Sequence, residues 1–164
     1  MTATMTTIDP ASFADVRVVA NRMRQADIEE FSAVNHVDGE DLAELMIERY
    51  GDRGDVLCAK HPMLGPIAIG ATIEGRPNVI TLMFFATADF PLVALALTRF
   101  ITKQLFPRYK EAGIHRIECM SIEGHTAAQR WIEILGLKRE ATIRGFGKNG
   151  ETYHQYAWVS DDVG

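Results

Sequence analysis

Glu118, Glu123 and His125 are the residues whose types and spacing carry the most chemistry in this chain. They lie in Arg116-Ile-Glu-Cys-Met-Ser-Ile-Glu-Gly-His125, where Arg116–Ile122 reads as a strand and the residues after it as a turn into a short helix. A carboxylate at Glu118 or Glu123 could take a proton from an amine. The alternative for each is a solvated carboxylate at a sheet edge. His125 stands between a strand end and a helix start, the place of a proton shuttle or of a single hydrogen bond to the helix.

Other chemistries find no support. No pair of Cys or His has metal-ligand spacing, so a metal site is not expected. Cys58 and Cys119 sit in apolar runs and read as buried, reduced thiols. His36, His61, His115 and His154 are scattered, and no nucleophile elbow, phosphate loop or zinc helix is present. The net charge of −5 argues against a nucleic-acid binder held by bulk charge. The first residues lack the basic start and apolar centre of a signal peptide, and no apolar run reaches membrane-spanning length. A cytoplasmic protein is expected.

The elements that must position these residues follow from periodicity. With 164 residues, 47% of them apolar and 24% charged, the chain reads as a single domain over 1–164, with 1–4 and 160–164 as flexible tails. Residues 5–9 suggest a first strand. Apolar stripes then predict helices over Ser12–Met23, Ala26–Val34 and Glu40–Tyr50, with Asp27, Glu29 and Glu30 near the positive end of the second. From Asp55 the period changes to that of strands: 56–60, 66–74 and 79–87, joined by tight turns into an antiparallel meander. Gly70 suggests a bulge or a close backbone approach. The third of these strands, Val-Ile-Thr-Leu-Met-Phe-Phe-Ala, suits the middle of a sheet covered on both faces. Asp89-Phe90-Pro91 opens a long helix over Leu92–Ala112, with Thr87 or Asp89 as its cap. A strand–helix–strand unit places 79–87 and 116–122 in parallel. A short helix ending at Gly136 and two strands, 141–146 and 152–159, joined by Gly147-Lys148-Asn149-Gly150, close the chain. The fold class is α/β (α+β), a mixed, mostly antiparallel twisted sheet of about six or seven strands with helices on both faces.

That order resembles the GNAT superfamily of acyl-CoA-dependent N-acyltransferases. The local match is best in Ser121-Ile-Glu-Gly-His-Thr-Ala-Ala-Gln-Arg-Trp-Ile-Glu-Ile-Leu-Gly-Leu137. His125 stands at the family's usual Asn, Ala127-Ala128 at its small pair, Trp131 at its aromatic position and Leu135-Gly136-Leu137 at its ending. The pattern is most similar to a divergent branch encoded by tailed bacteriophages. The resemblance implies a place for acetyl-CoA beside Phe85, Ala86 and Thr87, along Asp89, Leu92 and Val93, and near His125 and Trp131.

The departures from the family are physical. Active members carry an Arg/Gln-x-x-Gly-x-Gly/Ala loop, whose small residues let backbone N–H groups reach a pyrophosphate. Here the run is Ala88-Asp89-Phe90-Pro91-Leu92-Val93-Ala94-Leu95-Ala96, with an acid, a missing donor at Pro91 and bulk at Leu92 and Val93. Trp131 replaces the usual Tyr acid, and an indole N–H does not ionise near neutral pH. Tyr153 or Tyr156 could stand in, or be packed strand aromatics. Two functions follow. One is an interaction or structural module that keeps the fold, such as a virion-associated protein whose partners are virion proteins or further copies of itself. The other is an acetyl-CoA-dependent N-acetyltransferase acting on a small amine or a host protein, working in the host cytoplasm if phage-encoded. Under the second, Asp89→Gly is expected to tighten acetyl-CoA binding measured by calorimetry, and unchanged affinity would contradict this placement of the cradle.

Overall fold

A computed structural model describes residues 5–163. The described strands form one seven-stranded sheet in the order β1-β2-β3-β4-β5-β7-β6, where β1 is Thr7–Pro10, β2 Leu57–His61, β3 Gly65–Arg76, β4 Val79–Ala86, β5 Arg116–Ile122, β6 Lys138–Ile143 and β7 Tyr153–Val159. β4 and β5 run parallel; the β1–β2, β2–β3, β5–β7 and β6–β7 pairs are antiparallel. This is the mixed, mostly antiparallel sheet that the pattern predicts. The chain divides into two compact units, one of the residues up to Ala71 with Phe84–Leu97, the other of Thr72–Met83 with the residues from Thr98 on.

In the first unit, helices α1 (Phe13–Ala20), α2 (Gln25–Ser32) and α3 (Gly39–Tyr50) precede β2. α1 starts where Ser12 and Asp15 satisfy each other: the Asp15 N–H donates to Ser12 Oγ at 3.1 Å, and the Ser12 N–H to Asp15 Oδ2 at 2.9 Å. Asp15 also meets Lys60 Nζ on β2 at 3.2 Å. Burial alone would raise the Asp15 pKa, but these hydrogen bonds and the Lys60 charge together hold it below the ordinary value. The core gathers on Phe85, which is fully buried, with the Phe31 ring edge-on at 6.1 Å and Tyr50 at 6.3 Å. α1 stops at Ala20, short of the predicted Met23, because Met23 instead forms an antiparallel bridge with Thr87. The predicted irregularity in β3 falls at Ile67, skipped between the pairs Ala59↔Ala68 and Lys60↔Pro66, and not at Gly70, which pairs with Leu57.

In the second unit, β5, β7 and β6 form an antiparallel layer with Ile117, Tyr153 and Tyr156 buried. The predicted helix over 92–112, whose residues up to Leu97 belong to the first unit, is broken into pieces. Phe90–Leu92 is a 3-10 turn, α4 is Ala94–Phe100, a π-helical turn covers Ile101–Leu105, and α5 is Phe106–Glu111. Pro107 accounts for the interruption: it has no N–H to give and its ring crowds the preceding turn, so the Phe106 N–H reaches back five residues to the Ile101 carbonyl. The closing hairpin also differs, for β6 ends at Ile143 and a loop runs to Thr152. Asn149-Gly150 turn inside that loop, where the Gly150 N–H donates to the Gly147 carbonyl at 3.0 Å. α6 is Thr126–Ile134, ended by Gly136 at φ 102°, a conformation that suits glycine. The Ser160 N–H donates to the His115 carbonyl at 2.8 Å, while residues 1–4 of the predicted tails lie outside the described residues.

Because the Ser12 hydroxyl satisfies an otherwise unpaired helix donor, Ser12→Ala is expected to lower stability by about 1 kcal/mol in urea unfolding. An unchanged midpoint would show that this cap contributes nothing.

Candidate functional site

β4 pairs with β5 over Val79↔Arg116, Ile80↔Ile117 and Thr81↔Glu118, and this ladder stops there although β4 runs on to Ala86. At the end of β4, residues from far earlier in the chain supply partners. The Ala86 N–H donates to Asp27 Oδ2 at 2.9 Å, and the Ala86 carbonyl accepts the Arg24 N–H at 2.9 Å. Arg24 grips the same carboxylate in a two-pronged pair, Nε to Oδ2 at 3.0 Å and Nη2 to Oδ1 at 2.9 Å. The Asp27 side chain is 3% exposed. The Arg24 guanidinium lies over the Phe90 ring, 5.2 Å from its centre, and Phe90 meets Phe84 edge-on at 5.4 Å.

The turn after β4 uses its own amides. Thr87 N–H donates to the Ile67 carbonyl at 2.9 Å, Asp89 N–H to Thr87 Oγ1 at 3.2 Å and Phe90 N–H to the Thr87 carbonyl at 3.1 Å. Leu92 N–H donates to the Asp89 carbonyl at 2.9 Å and Val93 N–H to the Phe90 carbonyl at 3.0 Å, while Pro91 has no N–H. Neither predicted cap acts as one: the Asp89 side chain accepts no capping bond, and the Thr87 hydroxyl serves the Asp89 amide. Leu92 is exposed and Val93 is fully buried. Of the residues that the resemblance places beside a carrier arm, Phe85 is therefore a core side chain, and Ala86, Thr87, Asp89, Leu92 and Val93 have backbone donors already used within the chain.

In the second unit, Glu118 is a held anion. It accepts from Arg116 Nε, from Arg76 Nη2 at 3.0 Å, and from Thr81 Oγ1 and Gln155 Nε2 at 3.5 Å each. Burial pushes its pKa up, but the hydrogen bonds and charges of Arg116 and Arg76 outweigh it and hold the carboxyl below its ordinary range. Arg116 also grips Glu140, whose carboxyl that contact lowers. Such an ion is a poor proton acceptor near neutral pH. The Glu123 side chain is 64% exposed and 3.7 Å from His154 Nε2, whose Nδ1 lies 3.0 Å from Thr142 Oγ1. His125 is buried and heads α6, its Nδ1 accepting the Ala128 N–H at 3.4 Å; that bond assigns the ring proton to Nε2. Trp131 Nε1–H donates to Thr98 Oγ1 at 2.8 Å. Tyr153 is buried, its ring 4.9 Å from that of Phe146, and the Tyr156 phenol accepts from Arg139 Nη2 at 3.1 Å.

The structure thus joins Glu118 to an arginine network and leaves Glu123 beside His154. Sequence reasoning missed Arg24 altogether and took Asp27 for a helix-start acid. The available signal was Arg-x-x-Asp at a helix entrance, a spacing that lets the two side chains meet. Among the described residues, no group of three or more His, Cys, Asp or Glu could hold a metal ion.

No protein-family model matches the chain, and a search by sequence among curated proteins finds no match. Solved structures do match. A GNAT-family acetyltransferase from Bacillus anthracis superposes with a TM-score of 0.68 at 15% identity, covering 94% of each chain. The ribosomal-protein-S18-alanine N-acetyltransferase of Escherichia coli gives 0.65 at 16%, covering 98% of this chain and 97% of its own. The Salmonella typhimurium protein yncA, solved with its cofactor acetyl-CoA, gives 0.63 at 16%, covering 96% and 95%. The chain has the fold of the GNAT acetyltransferases.

The Glu118 network makes a pH prediction. Its folded pKa is depressed, so its stabilisation is present above the ordinary glutamate value of 4.5 and is lost as pH falls through the folded value. Glu118→Gln is expected to cost about 1–2 kcal/mol at pH 7 and to flatten the acid limb of stability against pH in urea unfolding. An unaltered acid limb would contradict the assignment.

Proposed function

We propose that this chain is an acetyl-CoA-dependent N-acetyltransferase, acting in the cytoplasm on an amine of a small molecule or of a host protein, and seen here with its carrier contacts closed. Support comes from the fold and from structures such as that of yncA, described with acetyl-CoA. The observation that carries the reading is the behaviour of β4. It leaves its parallel ladder after Thr81 and ends at Ala86 with a backbone donor and acceptor that bond to no neighbouring strand. Such a pair can take an amide-bearing ligand by strand-like hydrogen bonding.

In this conformation the residues do not accommodate the carrier. Ala86 is paired with Arg24 and Asp27, and the amides of Thr87, Asp89, Phe90, Leu92 and Val93 are spent. No catalytic step is therefore routed through it. Of the predicted set, Glu118 is not suited to accept a proton, since Arg116 and Arg76 hold it as an anion.

A second reading, an interaction module that keeps the fold, is favoured by the same spent amides, since a fold does not fix a function. Its partners would be proteins, virion proteins or further copies among them; nothing in the fold or in the structures named above bears on a bacteriophage origin. No helix among the described residues is long and apolar enough to cross a membrane.

Calorimetry with acetyl-CoA separates the readings. The enzyme is expected to give saturable one-to-one binding with a dissociation constant of about 1 µM–1 mM. No heat at ~10 mM, with none gained on substituting Asp27, contradicts it and leaves the interaction module.

A further inference from the structure

We infer that Arg24 and Asp27 form a latch on Ala86, and that this latch must open before the amide-bearing arm of an acyl-CoA can pair with the end of β4; the inference rests on the acetyltransferase reading. A strand end normally finds its partners on a neighbouring strand. Ala86 instead has its N–H on a side-chain carboxylate and its carbonyl on the amide of Arg24, which enters α2 in an extended conformation (φ −55°, ψ 146°). Asp27 is 59 residues away in sequence. The segment touches the strand through one isolated bridge, Met23↔Thr87, and not through a ladder. A single bridge is a contact that a ligand can replace.

Charge makes the replacement feasible. Removing a buried carboxylate from its partners is costly when it leaves the ion alone. Here Arg24 and Asp27 sit three residues apart on the same helix entrance and carry each other's counter-charge. If the segment swings away, the pair travels together, and the two Ala86 bonds are surrendered with the Met23↔Thr87 bridge and the Arg24 contact on Phe90. An amide-bearing ligand returns the two Ala86 bonds, its carbonyl accepting the Ala86 N–H and its N–H donating to the Ala86 carbonyl. Opening is therefore coupled to binding, and the apparent affinity falls with the fraction of chain that is open.

The test is calorimetric titration of acetyl-CoA into the full chain, its Asp27→Ala variant and its Asp27→Asn variant, with thermal melting of each to confirm folding. Asp27→Ala removes the acceptor that holds Ala86. Asp27→Asn keeps an oxygen for Ala86 but loses the charged grip of Arg24, and serves if the alanine variant does not fold. The latch predicts at least about tenfold tighter acetyl-CoA binding in a folded variant than in the parent, including binding that appears only in the variant. Equal or weaker binding in both folded variants, with the parent itself binding, overturns the latch and leaves the acetyltransferase reading intact. No binding by any of the three at ~10 mM overturns both.

Discussion

Everything near the end of β4 depends on one requirement: a strand that leaves its ladder must still satisfy its backbone. Ala86 meets it through the Asp27 carboxylate and the Arg24 amide. A buried carboxylate is tolerated only when its own charge is answered, and the two-pronged Arg24 contact answers it. Arg24 in turn lies over Phe90, which fixes the guanidinium above the turn that follows the strand. Backbone, ion pair and aromatic ring thus support one another within a few residues.

The same requirement explains why the turn after β4 is so compact. In the solved acetyltransferases only the likeness of fold is shared, at identities of 15–16%. Here Pro91 removes a donor and the 3-10 turn at Phe90–Leu92 consumes amides locally. In the second unit several polar side chains are likewise committed: Glu118 to Arg116 and Arg76, Tyr156 to Arg139, Trp131 to Thr98. A chain with this arrangement has the fold of the GNAT acetyltransferases and fastens these polar side chains to itself.

How much of this was legible in the sequence depends on the range of the interaction. β4 and β5 could be read because an unbroken apolar run and an alternating run are local signals. The parallel pairing followed from the crossover between them, and β5 was placed at its observed bounds, Arg116–Ile122. Pro107 was visible, but the strong apolar periodicity over 92–112 hid its effect on the helix. The Asn149-Gly150 signal was real as a turn yet misplaced as a hairpin, because Gly145 at φ 68° ends β6 earlier. The partnerships that decide the site were beyond reach: Asp27 meets Ala86 across 59 residues and Arg76 meets Glu118 across 42. Propensity carries no information about such distances.

The most direct measurement is a trans-hydrogen-bond NMR correlation from the Ala86 amide nitrogen to the Asp27 carboxylate carbon, recorded with and without acetyl-CoA. The predicted result is a correlation in the free chain that disappears as acetyl-CoA saturates it. A correlation absent from the free chain, or one that persists in the saturated complex, would contradict the view that Ala86 is held shut by its own chain.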